Sequence, residues 1–329
     1  MQEKIAVIGG GSWGTALANL LSDNNHDVSL YVLEEEVKES INKKHENSIF
    51  LKGIELNKRL KCFLFEELSA DFDKILWVVP TQFTRDTLVK FKELLNDKHV
   101  IVATKGIEIK HKKFVHEIFE EVVNVKLSVL SGPSFAKEVA LRKPTAVSIA
   151  SFDNSEAKLW QRIFSNEYFR CYTLDDVVGV EVGGAMKNVI AIATGISDGL
   201  GFGNNARAGI ITRGLREITR LGLKMGGKLE TFMGLSGMGD LVLTCTGELS
   251  RNRTVGIRLG KGEKIEEITE STKMIAEGVY TVKAAYELAK KLEIEMPITE
   301  EVYKIIYESK DPQESFYDIM RRPLKEENI

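Results

Sequence analysis

Lys187 stands in Gly183-Gly184-Ala185-Met186-Lys187-Asn188-Val189-Ile190-Ala191, a run of helical period with small residues one turn before the lysine. Small side chains there let a ligand or a neighbouring backbone come close. Val180, Val182, Met186, Val189 and Ile190 give the amine apolar surroundings, and desolvation there lowers its pKa toward the range of a general acid–base group. A surface lysine on an amphipathic helix has the same composition, and both readings stand at this point. Lys105, in Ala103-Thr104-Lys105-Gly106, follows an apolar strand pattern at the carboxyl end, where doubly wound sheets present ligand-binding groups. A second amine near the first further disfavours the charge on it.

Other segments supply polar groups for an anion. Ser131-Gly132-Pro133-Ser134-Phe135-Ala136 is a strand end followed by a turn, rich in N–H and hydroxyl donors, although Ser134 reads equally as a helix N-cap. Asp240, in Gly237-Met238-Gly239-Asp240-Leu241, either caps a helix or orients a lysine. Ser250-Arg251-Asn252-Arg253 carries guanidinium and amide donors suited to phosphate, or is a solvated basic loop.

The elements that must position these groups follow from periodicity. Short apolar runs at Ile5–Ile8, Val28–Val32, Ile75–Val79, Val100–Ala103, Leu127–Leu130, Thr145–Ala150 and Phe169–Tyr172 read as strands, with helical patterns at Trp13–Asn24 and Glu34–Lys44. Such alternation predicts a parallel, doubly wound sheet with right-handed crossovers. From Val177 the period is helical: Val177–Ile196, Ala206–Leu221, Thr254–Leu259, Val279–Lys291 and Thr299–Tyr307, with Gly199–Gly203 and Gly234–Gly239 as loops. The expectation is α/β: a Rossmann-type, mostly parallel sheet over residues 1–176, then an all-α substrate domain over 177–329. The charged tail after Pro323 is expected to fray.

Gly9-Gly10-Gly11-Ser12-Trp13-Gly14 matches the dinucleotide loop G-x-G-x-x-G between a strand and a helix. Gly9 permits the tight turn, Gly11 the approach of a pyrophosphate, and Gly14 close packing of helix on strand. The diphosphate then meets free N–H groups at a helix N-terminus. Glu34 lies about 20 residues after Gly14, the distance of an acid that binds the ribose 2′-hydroxyl; Glu34-Glu35-Glu36 also reads as an acidic first helical turn. No Arg, Lys or His stands at Leu33 or the next three positions to meet a 2′-phosphate, so NAD is expected over NADP.

Composition narrows the classes. The 329 residues suit two domains, and 43% apolar with 28% charged is ordinary for a globular protein. A net charge of −3 gives no nucleic-acid footprint, so an anionic ligand must be held by a few placed cations. Cys62, Cys171 and Cys245 have no metal-ligand spacing, no metal is expected, and buried reduced thiols fit them best. With no signal-peptide pattern and no run of about 18 apolar residues, a cytoplasmic protein without a membrane span is expected.

Taken in order, these segments resemble the NAD(P)-dependent glycerol-3-phosphate dehydrogenase family, of the bacterial type, over nearly the full length. The resemblance is carried by Gly9 to Thr15, Val79-Pro80-Thr81, Ala103 to Gly106, Leu130 to Ala136, Gly183 to Asn188, Asn205-Ala206-Arg207-Ala208, Gly239 to Thr246, Ser250-Arg251-Asn252 and Glu277-Gly278. It implies that Lys187 is the catalytic lysine and that Lys105 touches both substrate and cofactor. Gly132, Ser134, Lys187, Asp240, Thr244, Ser250, Arg251 and Asn252 fall where the family lines its glycerol phosphate pocket. Ser12, Trp13, Phe83, Ala136, Arg251 and Glu277 fall on or near its cofactor positions. Asp240 and Thr244 are implied to orient Lys187, the substrate is a small phosphorylated molecule, and pairing of helical domains into a homodimer follows by analogy. Leu33 departs from the Arg or His of many relatives, which speaks against NADP; Lys52 replaces a usual Pro and carries no assigned function. Two alternatives stay open: a sister dehydrogenase acting on another hydroxy acid, and a nicotinamide-binding sensor without turnover.

Overall fold

The computed structural model describes residues 2–271, 276–324 and 326–327. Continuous apolar runs form a sheet buried on both faces: β1 (Lys4–Ile8), β2 (Asp27–Val32), β3 (Lys61–Leu64), β4 (Lys74–Trp77), β5 (His99–Val102), β6 (Lys126–Ser131), β7 (Thr145–Ser151) and β8 (Phe169–Leu174). The strand order is β3-β2-β1-β4-β5-β6-β7-β8. Alternate residues of β1 feed opposite layers, Ile5 and Val7 into one core and Ala6 and Ile8 into the other. The chain reverses direction of travel across the sheet between β1 and β4, and the crevice at their carboxyl ends is the topological switch point where such sheets bind ligands.

Two features depart from the sequence reading. β3 was not anticipated; it has four residues, and only Cys62 is buried in it, too weak a pattern to register. β7 runs antiparallel to β6. The link between them holds only helix Ala136–Ala140, and five residues rise about 7.5 Å, too little to carry the chain back across the sheet. The chain therefore turns round at the same end.

Beyond β8 the described elements are helical, around a spine, helix Val177–Gly199, whose residues are almost all buried. By length and composition this helix could cross a membrane, yet 94% of its apolar window is buried inside the protein, as in a soluble core helix. Helices Gly203–Lys224, Arg251–Gly260, Glu277–Lys291 and Pro297–Tyr307 pack around it, each starting two or three residues earlier than the period suggests. Gly234–Gly239 is no loop: Leu235–Gly239 forms a π-helical turn leading into helix Asp240–Thr246. Ile107 and Phe114, from the connection after β5, insert into this helical core, so the segment bearing Lys105 is built into both halves. In the tail, the Glu327 carbonyl accepts from Arg213 and Arg216, whereas Lys325, Asn328 and Ile329, where fraying was also expected, lie outside the described residues.

Candidate active site

Two lysines from different halves of the molecule converge on one buried carboxylate. Lys187 Nζ donates to Asp240 Oδ1 at 2.5 Å, and Lys105 Nζ donates to Asp240 Oδ2 at 2.7 Å and to the Gly132 carbonyl at 3.3 Å. Asp240 is 1% exposed and Lys187 8%. Thr244, one turn after Asp240, donates to the Asp240 carbonyl at 2.6 Å, so its oxygen lone pairs face Lys187 Nζ at 3.1 Å and accept. Asp240 therefore orients lysines and does not cap its helix, whose N-cap is Gly239.

Burial pushes the Lys187 amine down to about 8; the Asp240 charge opposes the shift and Lys105 adds to it. Burial would raise the Asp240 carboxyl, but the two lysines outweigh it and hold the group below its ordinary value. Near neutrality Lys187 is thus an ammonium with an accessible neutral form. The sequence reading of an apolar pocket with a second lysine beside it describes this arrangement; the surface-lysine reading does not.

Glycines set the approach of these parts. A Cβ on Gly184 would lie 2.8 Å from Ser131 Oγ and 3.5 Å from the Lys105 Cγ and Cδ atoms, and one on Gly183 would lie 2.6 Å from the Ser236 carbonyl. Helix Val177–Gly199 can therefore lie close enough for Lys187 to reach Asp240.

The anion end sits at the start of helix Arg251–Gly260. The segment read as phosphate donors, or alternatively as a solvated basic loop, is the start of this helix, with Ser250 as N-cap accepting from the Arg253 N–H at 3.2 Å. Asn252 is buried, its Oδ1 accepting from the Gly278 N–H at 3.0 Å and its Nδ2 donating to Asn188 Oδ1 at 2.9 Å. Arg253 turns away to Asp198. Arg251 is exposed and makes no hydrogen bond or ion pair with the described residues, leaving its fork of donors free beside a helix N-terminus. Ser134 is not an N-cap, because its helix is capped by Phe135; its hydroxyl donates to the Gly132 carbonyl at 2.9 Å instead.

The dinucleotide end lies over β1. Gly9 has φ +118°, and a Cβ there would lie 2.7 Å from the Val78 carbonyl oxygen; one on Gly14 would lie 1.9 Å from the Gly9 carbonyl oxygen. Gly11 faces open space and caps helix Ser12–Asp23 without a side-chain hydrogen bond. Its first N–H groups are thus available to a diphosphate, with Ser12 beside them and Trp13 pinned by a 3.2 Å hydrogen bond to the Ala103 carbonyl. Glu34 is the exposed N-cap of the helix after β2, and Leu33 is 68% exposed. Phe83 is 55% exposed in the first turn of helix Thr81–Leu95, and Ala136 is half-buried at the start of its helix. Glu277 accepts from the Thr81 N–H at 3.3 Å through Oε1, while Oε2 is buried and unpartnered; burial pushes its carboxyl up to about 7, against Thr81 and Arg251. An orphaned acceptor at the cleft suits the amide hydrogens of a carboxamide. Loop and acceptor together fit a nicotinamide dinucleotide.

Sequence reasoning quoted Thr81 and Asn188 only within matching motifs, with no role of their own, and did not single out Glu181 or His116. Asn188 was legible only as the neighbour of Lys187, and the others pair across 65 residues or more, which no local pattern encodes. Among the described residues no group of three or more His, Cys, Asp or Glu side chains is placed to hold a metal ion, and the three cysteines are buried free thiols.

Two family models match the chain: NAD-dependent glycerol-3-phosphate dehydrogenase N-terminus over residues 4–157 and C-terminus over residues 176–317. A glycerol-3-phosphate dehydrogenase [NAD(P)+] of Citrifermentans bemidjiense is 51% identical over 100% of both chains, and one of Leptospira biflexa is 52% identical over 99% of this chain and 100% of its own. The crystal structure of glycerol-3-phosphate dehydrogenase from Coxiella burnetii superposes with a TM-score of 0.93 at 40% identity, covering 98% of this chain and 99% of that one. The chain belongs to the NAD-dependent glycerol-3-phosphate dehydrogenase family.

Proposed function

We propose that this enzyme interconverts sn-glycerol 3-phosphate and dihydroxyacetone phosphate, with Lys187 as the proton-transferring group and NAD as the preferred cofactor. The observation that carries the reading is the Lys105–Asp240–Lys187 cluster, with Asn188, next to Lys187, hydrogen-bonded to Asn252, next to the free Arg251 guanidinium. When bound, the nicotinamide supplies the hydride acceptor or donor. Gly9, Gly11, Ser12, Trp13 and Gly14 would hold its diphosphate, Glu277 its carboxamide, and Glu34 its adenosine ribose, with Phe83 and Ala136 at the rim.

The substrate phosphate meets Arg251, the spare Asn252 amide hydrogen, the Ser250 hydroxyl and the N–H groups of the helix start. In oxidation, neutral Lys187 takes the hydroxyl proton; in reduction its ammonium returns one to the carbonyl oxygen. Asp240 and Thr244 keep Nζ aimed, and Lys105 stabilises negative charge developing on oxygen. Gly132 and Ser134 shape the wall beside Lys105. With the amine near 8, kcat/KM for oxidation rises with pH through about 8 and that for reduction falls there. Exposed Leu33 and the absence of a cation at the next three positions support NAD over NADP.

The opening of the C-terminal family model at residue 176, just before helix Val177–Gly199, supports a division of domains at residues 176 and 177. Buried free thiols support a reducing, cytoplasmic setting. The family resemblance supports a homodimer and a role in supplying glycerol 3-phosphate to glycerophospholipid synthesis. Lys187→Ala tests the assignment: kcat is expected to fall by about 10²–10⁴ with the fold intact, and near-normal turnover would overturn it.

A further inference from the structure

The two halves of the enzyme are joined behind the lysines by a buried pair outside the reaction centre. Glu181, on helix Val177–Gly199, accepts from the His116 backbone N–H through both oxygens, at 3.1 and 3.3 Å, and from His116 Nδ1 at 2.5 Å. Both residues are 6% exposed. His116 lies in the first turn of helix Val115–Val122, so the carboxylate sits at that helix's N-terminus, where free N–H groups and the dipole favour an anion. Burial works against the imidazolium, and the Glu181 charge outweighs it, holding His116 above its ordinary pKa.

This pair bears directly on the site. Glu181 and Gly184 are three apart and share a helix face. Gly184 is the residue against which the Lys105 chain and Ser131 pack. Glu181, Gly184, Thr104, Lys105 and Ser131 line one small crevice too narrow for a water molecule, with the Ser131 hydroxyl unpartnered in the protein. A shift of the helix at Glu181 therefore moves Gly184 against Lys105, and moves Lys187 relative to a Lys105 held at the carboxyl end of β5, where the neighbouring Thr104 hydroxyl donates to the Val79 carbonyl.

We propose that Glu181 is a positioning residue: by bridging the His116 N–H and imidazole it fixes where helix Val177–Gly199 rests on the sheet, and so brings Lys187 and Lys105 onto the same carboxylate. The inference rests on the lysine mechanism above. It distinguishes this contact from a merely stabilising one, because a stabilising contact affects how much enzyme is folded and not what the folded enzyme does.

The test is Glu181→Asp, which keeps charge and polarity and draws the helix by about one methylene, alongside Glu181→Gln, which keeps the length and the capacity to accept from the His116 N–H. A misplacement of about 1 Å costs up to about 10²-fold in turnover. Glu181→Asp is expected to lose 10-fold or more in kcat with NADH binding, read by its fluorescence, unchanged, and Glu181→Gln to recover part of the loss. Amine labelling of Lys187 as a function of pH, read by peptide mass spectrometry, needs no turnover; in Glu181→Asp its midpoint is expected to fall below about 8 as Nζ draws away from the Asp240 charge that holds it up. A folded Glu181→Asp enzyme with wild-type kcat and an unmoved Lys187 labelling midpoint would overturn the proposal. Wild-type protein inactive on dihydroxyacetone phosphate would fault the proposed function instead, and the labelling midpoint would still decide the positioning role.

Discussion

Replacing Asp240 with Asn removes the charge that two lysines share while keeping the shape of the side chain. The Asp240 oxygens lie 2.5 Å from Lys187 Nζ and 2.7 Å from Lys105 Nζ, with 1% of the residue exposed. Unit charges about 4 Å apart interact by about 4 kcal/mol at an effective dielectric of about 20, which corresponds to about 3 pKa units. Lys187 starts from about 8, so the Asp240→Asn amine is expected to titrate near pH 5, by subtraction of that roughly 3-unit loss. At pH 7 about one molecule in a hundred then carries the ammonium that reduction requires. The assay is kcat/KM for dihydroxyacetone phosphate reduction across pH, followed by loss of NADH absorbance. The wild-type rate is expected to fall as pH rises through about 8, and the falling limb of Asp240→Asn to lie well on the acid side. The position of the limb is diagnostic, since a more acidic ammonium is also a stronger acid and recovers part of the rate. A limb that stays near 8 in a folded Asp240→Asn enzyme would refute the idea that Asp240 sets the Lys187 proton.

Arg251→Ala removes the free guanidinium at the start of helix Arg251–Gly260; the lost charge-assisted bonds, about 2–3 kcal/mol, are expected to raise KM for dihydroxyacetone phosphate about 30- to 160-fold. KM for unphosphorylated dihydroxyacetone should stay put, and an equal rise for both would remove the phosphate assignment. Glu217, 3% exposed and bonded to the Ile298 and Thr299 N–H groups, is raised by burial to about 7. A carboxyl raised in the folded state contributes stability that is complete below about pH 4.5 and lost as pH rises through about 7, about 3 kcal/mol across that window. Thermal melts of Glu217→Gln are therefore expected to show a flatter decline between those pH values than wild type, and an identical slope would contradict the shift.

The parts of this molecule that are legible in its sequence are those with a local cause. Apolar runs of four to six residues gave the strands because both sheet faces are covered, and Gly9, Gly11 and Gly14 marked the loop because only glycine fits beside the Val78 and Gly9 carbonyls or leaves room over the helix start. Lys187 was legible because apolar neighbours at helical spacing surround it. Strand β3 was not, since its one buried residue gives no period. The antiparallel β7 was hidden because direction depends on the length of the intervening helix, not on the strand itself. Ser250–Asn252 read as phosphate donors and equally as a loop, because a polar helix start gives no helical period. The Glu181–His116 bridge and the Glu277–Thr81 contact join residues 65 and 196 positions apart, and only the folded chain shows them.

The central claim is that the lysine cluster and the Arg251 anchor together make a dihydroxyacetone phosphate reductase. The most direct measurement is NADH oxidation by the purified enzyme with dihydroxyacetone phosphate, run beside NADPH and beside unphosphorylated dihydroxyacetone. Rapid turnover with the phosphate ester, little without the phosphate, and a higher kcat/KM with NADH than with NADPH are expected. Tight NADH binding with no turnover of the phosphate ester, or equal turnover of both ketones, would contradict the claim.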